Sequence, residues 1–207
     1  MHVRLIRLRA DPSKSDEAMK VWSSETLPAI KKQKGFAGVT VVGDKKKGEM
    51  ISITYWETEQ AMKESRGNIR PEALKSLDKT GSKIVEEDEC EVAVLERFQP
   101  AKTGVFARLT TVEGNPSHVS VGIANYKENI LPVIKKQNGV RTAYLFVNKA
   151  AGKSFGGSVY DTEADLQKSE ANLAGLRAEA AKKVEAKTPR VELFEVLFTE
   201  VPTHAGH

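Results

Sequence analysis

Apolar and polar positions run through the same six steps twice along the chain. Residues 2 to 9 form a β-rich run, Val3-Arg4-Leu5-Ile6-Arg7-Leu8, closed by the turn signal Asp11-Pro12, and residues 105 to 112 repeat it ahead of Asn115-Pro116. Each run leads into a helix, with Ser13 or Ser117 as its N-cap and Gly35 or Gly139 as its C-cap. Pro28 and Pro132 fall inside these helices. Because proline lacks an N–H and its ring crowds the preceding turn, each helix is expected to kink or restart there. Residues 36 to 43 and 49 to 57 then read as a hairpin around the Lys- and Gly-rich turn, with 140 to 147 and 153 to 161 as counterparts. Capping sequences Thr58-Glu59 and Thr162-Glu163 open a second helix, which in the first copy runs through Met62, Ala73, Leu74 and Leu77 with an interruption expected before Pro71. A final strand covers 90 to 98, and its counterpart 193 to 201.

The two passes share one register. Leu27-Pro28-Ala29-Ile30-Lys31-Lys32-Gln33-Lys34-Gly35 recurs as Leu131-Pro132-Val133-Ile134-Lys135-Lys136-Gln137-Asn138-Gly139, an offset of 104. The same gapless offset carries Arg4-Leu5 onto Arg108-Leu109, Gly48 onto Gly152, Trp56-Glu57-Thr58-Glu59 onto Tyr160-Asp161-Thr162-Glu163, and Glu91-Val92 onto Glu195-Val196. A constant register over nearly a whole half is not a chance match. The chain therefore reads as a first repeat at 1–98, a linker at 99–104, a second repeat at 105–201 and a disordered tail at 202–207. The order β-α-β-β-α-β is the ferredoxin-like split arrangement. Four strands with both helices on one face leave the other face bare, so the class expected is α+β, with two tandem units packed sheet to sheet as an intrachain pseudo-dimer.

At 207 residues the chain can bury an ordinary core in either half, and 40% hydrophobic with 29% charged residues is the composition of a globular chain. Its single cysteine, Cys90, has no internal disulfide partner, no stretch has the length of a membrane-spanning helix, and the start Met1-His2-Val3-Arg4 is not a secretory signal. A cytoplasmic location follows as the expectation. The net charge of +4 is spread along helical stretches beside acidic runs such as Glu86-Glu87-Asp88-Glu89, so neither a nucleic-acid nor a membrane partner is expected. Of the four histidines, His204 and His207 fall in the tail, His2 starts a strand and His118 lies near a helix cap. No spaced His, Cys or Glu cluster suggests a metal, and the dinucleotide fingerprint, the P-loop and the Gly-x-Ser-x-Gly elbow are absent, so no cofactor is expected.

The helix ending Leu27-Pro28-Ala29-Ile30-Lys31-Lys32-Gln33-Lys34-Gly35, followed by a hairpin whose second strand runs Ser52-Ile53-Thr54-Tyr55-Trp56-Glu57-Thr58-Glu59, resembles the antibiotic-biosynthesis-monooxygenase-like group of the dimeric α+β barrel superfamily. The resemblance covers both halves and implies an α+β barrel made here within one chain, with further homodimerisation left open. Its motifs are structural and carry no chemistry. The superfamily holds cofactor-independent oxygenases, haem-degrading enzymes and chlorite-dismutase-like haem proteins, and fold alone does not choose among them. Haem-degrading members carry a Trp and an iron-binding His in the second helix, and neither occurs from Thr58 to Thr80 or from Thr162 to Ala186.

Strand alternation puts Ser52, Thr54 and Trp56 on one face of the first copy's third strand, and Ser154, Gly156, Ser158 and Tyr160 on that of the second. This face is assigned to the interior between the sheets, with Ile51, Ile53 and Tyr55 toward the helices. Small residues beneath an aromatic leave room for a small apolar or aromatic molecule. The competing reading is that Trp56 and Tyr160 end their strands as packing residues at the sheet edge. Arg4 and Arg108 occupy one repeated position, as do Glu91 and Glu195, so each Arg is expected to meet its Glu across neighbouring strands, while a role in orienting an anion is the alternative. The pocket candidates are Arg4, Ser52, Thr54, Trp56, Arg108, Ser158 and Tyr160. Tyr126 replaces Trp22 and Tyr144 replaces Thr40, through either unequal pockets or divergent packing. Two functions remain: a cofactor-independent monooxygenase or related small-molecule enzyme, and a non-catalytic module that holds a small ligand or a partner.

Overall fold

A computed structural model of the chain describes residues 1–201, so the expected disordered tail lies outside the described residues. The first repeat contains β1 (His2–Arg9), α1 (Ser15–Val21), α2 (Leu27–Lys31), β2 (Phe36–Asp44), β3 (Glu49–Trp56), α3 (Glu59–Thr80) and β4 (Lys83–Arg97). The second contains β5 (Phe106–Glu113), α4 (Val119–Asn125), α5 (Leu131–Lys135), β6 (Val140–Asn148), β7 (Lys153–Tyr160), α6 (Glu163–Lys183) and β8 (Arg190–Glu200). Element for element, the two repeats are β-α-β-β-α-β.

The first helices begin one short turn earlier than their sequence suggests. Asp11 and Asn115 are the caps, accepting from the Ser13 and Ser117 backbone N–H groups at 2.8 and 3.0 Å, and Pro12 and Pro116 fill first-turn positions where no N–H is needed. Pro28 and Pro132 do not break the helices. A π-turn at Trp22–Thr26, matched at Tyr126–Ile130, widens the backbone so that Leu27 N–H reaches the Trp22 carbonyl and Leu131 N–H the Tyr126 carbonyl. The proline next in line then enters a turn that does not require its missing donor.

Nor does Pro71 interrupt α3, which is continuous from Glu59 to Thr80. Pro71 and Gly67, whose carbonyl loses its partner, are both exposed, so water can satisfy the freed group. Gly81 closes α3 in the left-handed conformation at φ 66°, and the Ser82 N–H returns to the Leu77 carbonyl at 3.0 Å. The chain therefore enters β4 at Lys83, well before residue 90. The acidic run from Glu86 to Glu89 hid this strand from any hydrophobic pattern.

Two compact units emerge, one of Met1–Glu89 with the chain from Leu197, the other of Cys90–Val196, so β4 and β8 each divide their length between units. In the first unit β3 lies between β1 and β2, both antiparallel to it, with Arg4 opposite Thr54 and Ile6 opposite Ser52. In the second, β7 lies between β5 and β6, Arg108 opposes Ser158, β8 pairs with the other edge of β5, and β4 pairs with β6. The hydrogen-bonded order is β1-β3-β2-β8-β5-β7-β6-β4, the strand order of an α+β barrel.

The expected strand faces are reversed. Ser52, Thr54 and Trp56 share the helix-facing side with their β1 neighbours Arg4, Ile6 and Leu8, while Ile51, Ile53 and Tyr55 are buried on the opposite face. Hydrophobicity alone suggested the other choice. Trp22 and Tyr126 at the π-turns lie over small strand residues, and a Cβ added at Gly156 would sit 3.5 Å from the Tyr126 ring.

Candidate functional site

Each unit has a mostly apolar, partly open cavity between its sheet and its helices, about 70 Å³ in the first and about 100 Å³ in the second. Arg4, Ser52, Thr54 and Trp56 line the first, and Arg108 and Ser158 the second, whereas Tyr160 packs behind Ser158, whose hydroxyl donates to the Tyr160 oxygen at 3.2 Å. Trp56 and Tyr160 are both fully buried. The Trp56 indole N–H donates to Thr54 Oγ1 at 3.0 Å, Phe36 meets its ring edge-on, and the Arg4 guanidinium lies 6.0 Å from its centroid.

Arg4 does not pair with Glu91. Its Nε and Nη2 donate to Glu89 Oε1 at 3.0 and 2.9 Å, Nη1 donates to Ser65 Oγ at 3.2 Å and Nη2 also reaches the Met62 carbonyl; Glu87 lies 3.7 Å from Nε. The early start of β4 is the reason, because residues 83–89 occupy the first unit while Glu91, opposite Val147 on β6, bridges to Lys149 at 2.6 Å. Glu87 also receives Arg66 and Arg70 at 2.5 and 2.7 Å. Burial works to raise its pKa, but the hydrogen bonds from Arg70 and Arg66 outweigh that and hold it below the ordinary carboxylate value.

Arg108 does not pair with Glu195 either, since Glu195 is exposed opposite Phe106. Its partners come from α6 instead: Nη1 donates to Ser169 Oγ at 2.9 Å, Nη2 to the Leu166 carbonyl at 2.7 Å, and Nη2 lies 3.0 Å from Glu170 Oε2. Burial lowers the Arg108 pKa from its usual value, with Glu170 opposing. Glu170 also holds Arg177, which lines the same cavity. Both residues escape the repeat pattern because the first copy has Arg66 and Ala73 at those positions. A departure from the repeat, rather than a match to it, was the available signal.

The two tyrosine replacements belong together. Tyr126 Oη donates to the Tyr144 carbonyl at 2.9 Å, and Tyr144 Oη donates to the Arg108 carbonyl at 3.0 Å, beside Gly157, where a Cβ would come within 2.3 Å of that hydroxyl. Burial pushes the Tyr126 phenol pKa far up, so it is neither an acid nor a base at neutral pH. Among the described residues no group of three or more His, Cys, Asp or Glu is placed to hold a metal, and no helix is long and apolar enough to cross a membrane.

Residues 1–76 match the antibiotic biosynthesis monooxygenase family. An uncharacterised protein of Mycobacterium tuberculosis is 29% identical over 136 residues, 66% of this chain and 60% of that protein, so the match leaves two fifths of the relative's length uncovered. A crystal structure of a candidate monooxygenase from Fusobacterium nucleatum superposes with a TM-score of 0.72 at 13% identity, covering 97% of this chain and 94% of that one. An anthrone oxidase-like protein gives 0.71 at 12% identity, with 98% and 94% covered. At such identities the solved structures are similar in fold alone. Residues 1–76 are thus similar to the antibiotic biosynthesis monooxygenase family, and the second repeat writes the same order of elements again.

Proposed function

We propose that the chain is a small-molecule enzyme of the monooxygenase-like kind, binding a small apolar or aromatic substrate between helices and sheet and oxidising it with O2 without a bound cofactor. The observation that carries this reading is the repeated cavity, apolar along its walls, with one buried arginine written at the same strand position in each unit. A substrate that ionises at an activated carbon supplies its own reducing electrons to O2. A fixed guanidinium beside it favours the anion that must form first. Among the described residues no carboxylate or imidazole lines either cavity, so the substrate's own acidity has to bring about most of that ionisation.

Oxygen uptake with anthrone and with smaller CH-acidic aryl ketones provides the test. The expected result is uptake above the uncatalysed rate, reduced by the cavity-filling substitutions Ala73→Phe in the first unit or Ala180→Phe in the second. Ligands that bind in the cavities yet never raise oxygen uptake would favour the alternative, a non-catalytic binding module.

A further inference from the structure

The two arginines that the repeat equates are not in equivalent surroundings. In the first unit Arg4 is met by Glu89 and, more distantly, Glu87, which lie on β4. The gapless offset puts Val191 and Leu193 at those two places in the second copy, so no carboxylate there replaces them. Instead α6 supplies Glu170, which holds both Arg108 and Arg177. Two guanidinium groups thus share one carboxylate, and that carboxylate is 44% exposed while the Arg108 and Arg177 side chains are 3% and 12% exposed.

The hydrogen-bond count is also incomplete. Among the described residues Arg108 Nε and Arg177 Nη1 are buried with no well-formed hydrogen bond, the Tyr160 hydroxyl being a further polar group that acts on Arg108, although every Arg4 nitrogen donates. Buried donors of a charged group are rarely left unmet, because each has lost its water. Both side chains line the second cavity, the larger of the two, where Gly122 and Gly156 stand in place of Ala18 and Ser52. The remainder of the wall, including Ile123, Leu145 and Leu173, is apolar.

We propose that the second unit's cavity is an anion site: it takes a small organic monoanion whose charged oxygen meets Arg108 and Arg177 and whose apolar body lies against Ile123, Leu145 and Leu173. This rests on the reading of the cavities as small-molecule sites and adds the charge of the substrate and the half that binds it. The first unit, with its arginine already neutralised, is the weaker partner for such a ligand. Duplication has therefore separated the two copies by moving the counter-charge from strand to helix.

The test is calorimetric titration of the full chain with benzoate and with its neutral analogue benzamide. Benzoate is expected to bind at one site per chain, about tenfold or more tighter than benzamide, the difference a charge-assisted contact supplies. Arg177→Ala, which installs the first unit's residue, should weaken benzoate about tenfold and leave benzamide unchanged, while Arg177→Lys retains most of the affinity. Comparing benzoate with 4-nitrophenolate identifies whether the head group preferred is a carboxylate or a phenolate. Equal affinity for benzoate and benzamide, or indifference of benzoate to Arg177→Ala, overturns the anion site while sparing the cavity reading. Absence of binding by all three probes overturns both.

Discussion

Replacing Glu87 by Val and Glu89 by Leu, the residues that the second copy carries at the matching positions, is expected to lower folding stability by about 3–5 kcal/mol. The Arg4 side chain is 5% exposed, so removing its carboxylates leaves a charge in a place that water does not reach. Adding Arg4→Met to the same variant should recover most of the loss, because an apolar side chain there needs no counter-charge. Acid has a related effect. The folded-state pKa of Glu87 lies below its ordinary 4.5, so the stability it contributes is complete above that value and is lost as pH falls through the lower, folded one. In urea titrations the gap between wild type and variant should stay constant near neutrality and narrow only below about pH 4.5. A gap of less than about 1 kcal/mol at neutral pH would mean that the pair is hydrated and carries no structural weight.

Trp56→Ala is expected to cost a similar 3–5 kcal/mol, the range for emptying a large aromatic from a packed core. Trp56 is fully buried and touches Phe36, Thr54 and Arg4 together, so no single neighbour can move in to fill the space. The same substitution enlarges the first cavity. Indole should therefore restore part of the lost stability in proportion to its concentration, as a ligand that binds only the folded state does. Loss without rescue by indole would make Trp56 a packing residue whose removal collapses the cavity.

The repeat and the order of its elements were legible because a conserved offset of 104 aligns turns, helices and strands that each have a local cause. What local pattern misled was the ends. A Pro in mid-helix predicts a break, yet Pro28 and Pro132 enter behind a π-turn and Pro71 sits on a solvated face. Lys83 to Glu89 carries so many charges that it reads as loop, and that single misplaced boundary moved the partner of Arg4 from Glu91 to Glu89. Hydrophobicity points to the wrong face of β3 for a related reason: the small polar set turns toward the helices, where it leaves a cavity, instead of away from them. Parity alone nevertheless groups Ser52, Thr54 and Trp56, whichever face is chosen, while Arg4 stands out by its repeated position. Arg177 and Glu170 could not be grouped with Arg108 that way, since helix α6 brings them from more than sixty positions along the chain.

The most direct measurement is a crystal structure of the chain soaked with 4-bromobenzoate, located by the anomalous signal of bromine. A bromine peak is expected between α6 and the β5–β7 face of the second unit, among Ile123, Leu145 and Leu173, with the carboxylate on Arg108 and Arg177. Bromine found only on the outer surface, with both cavities closed by their own side chains, would contradict it.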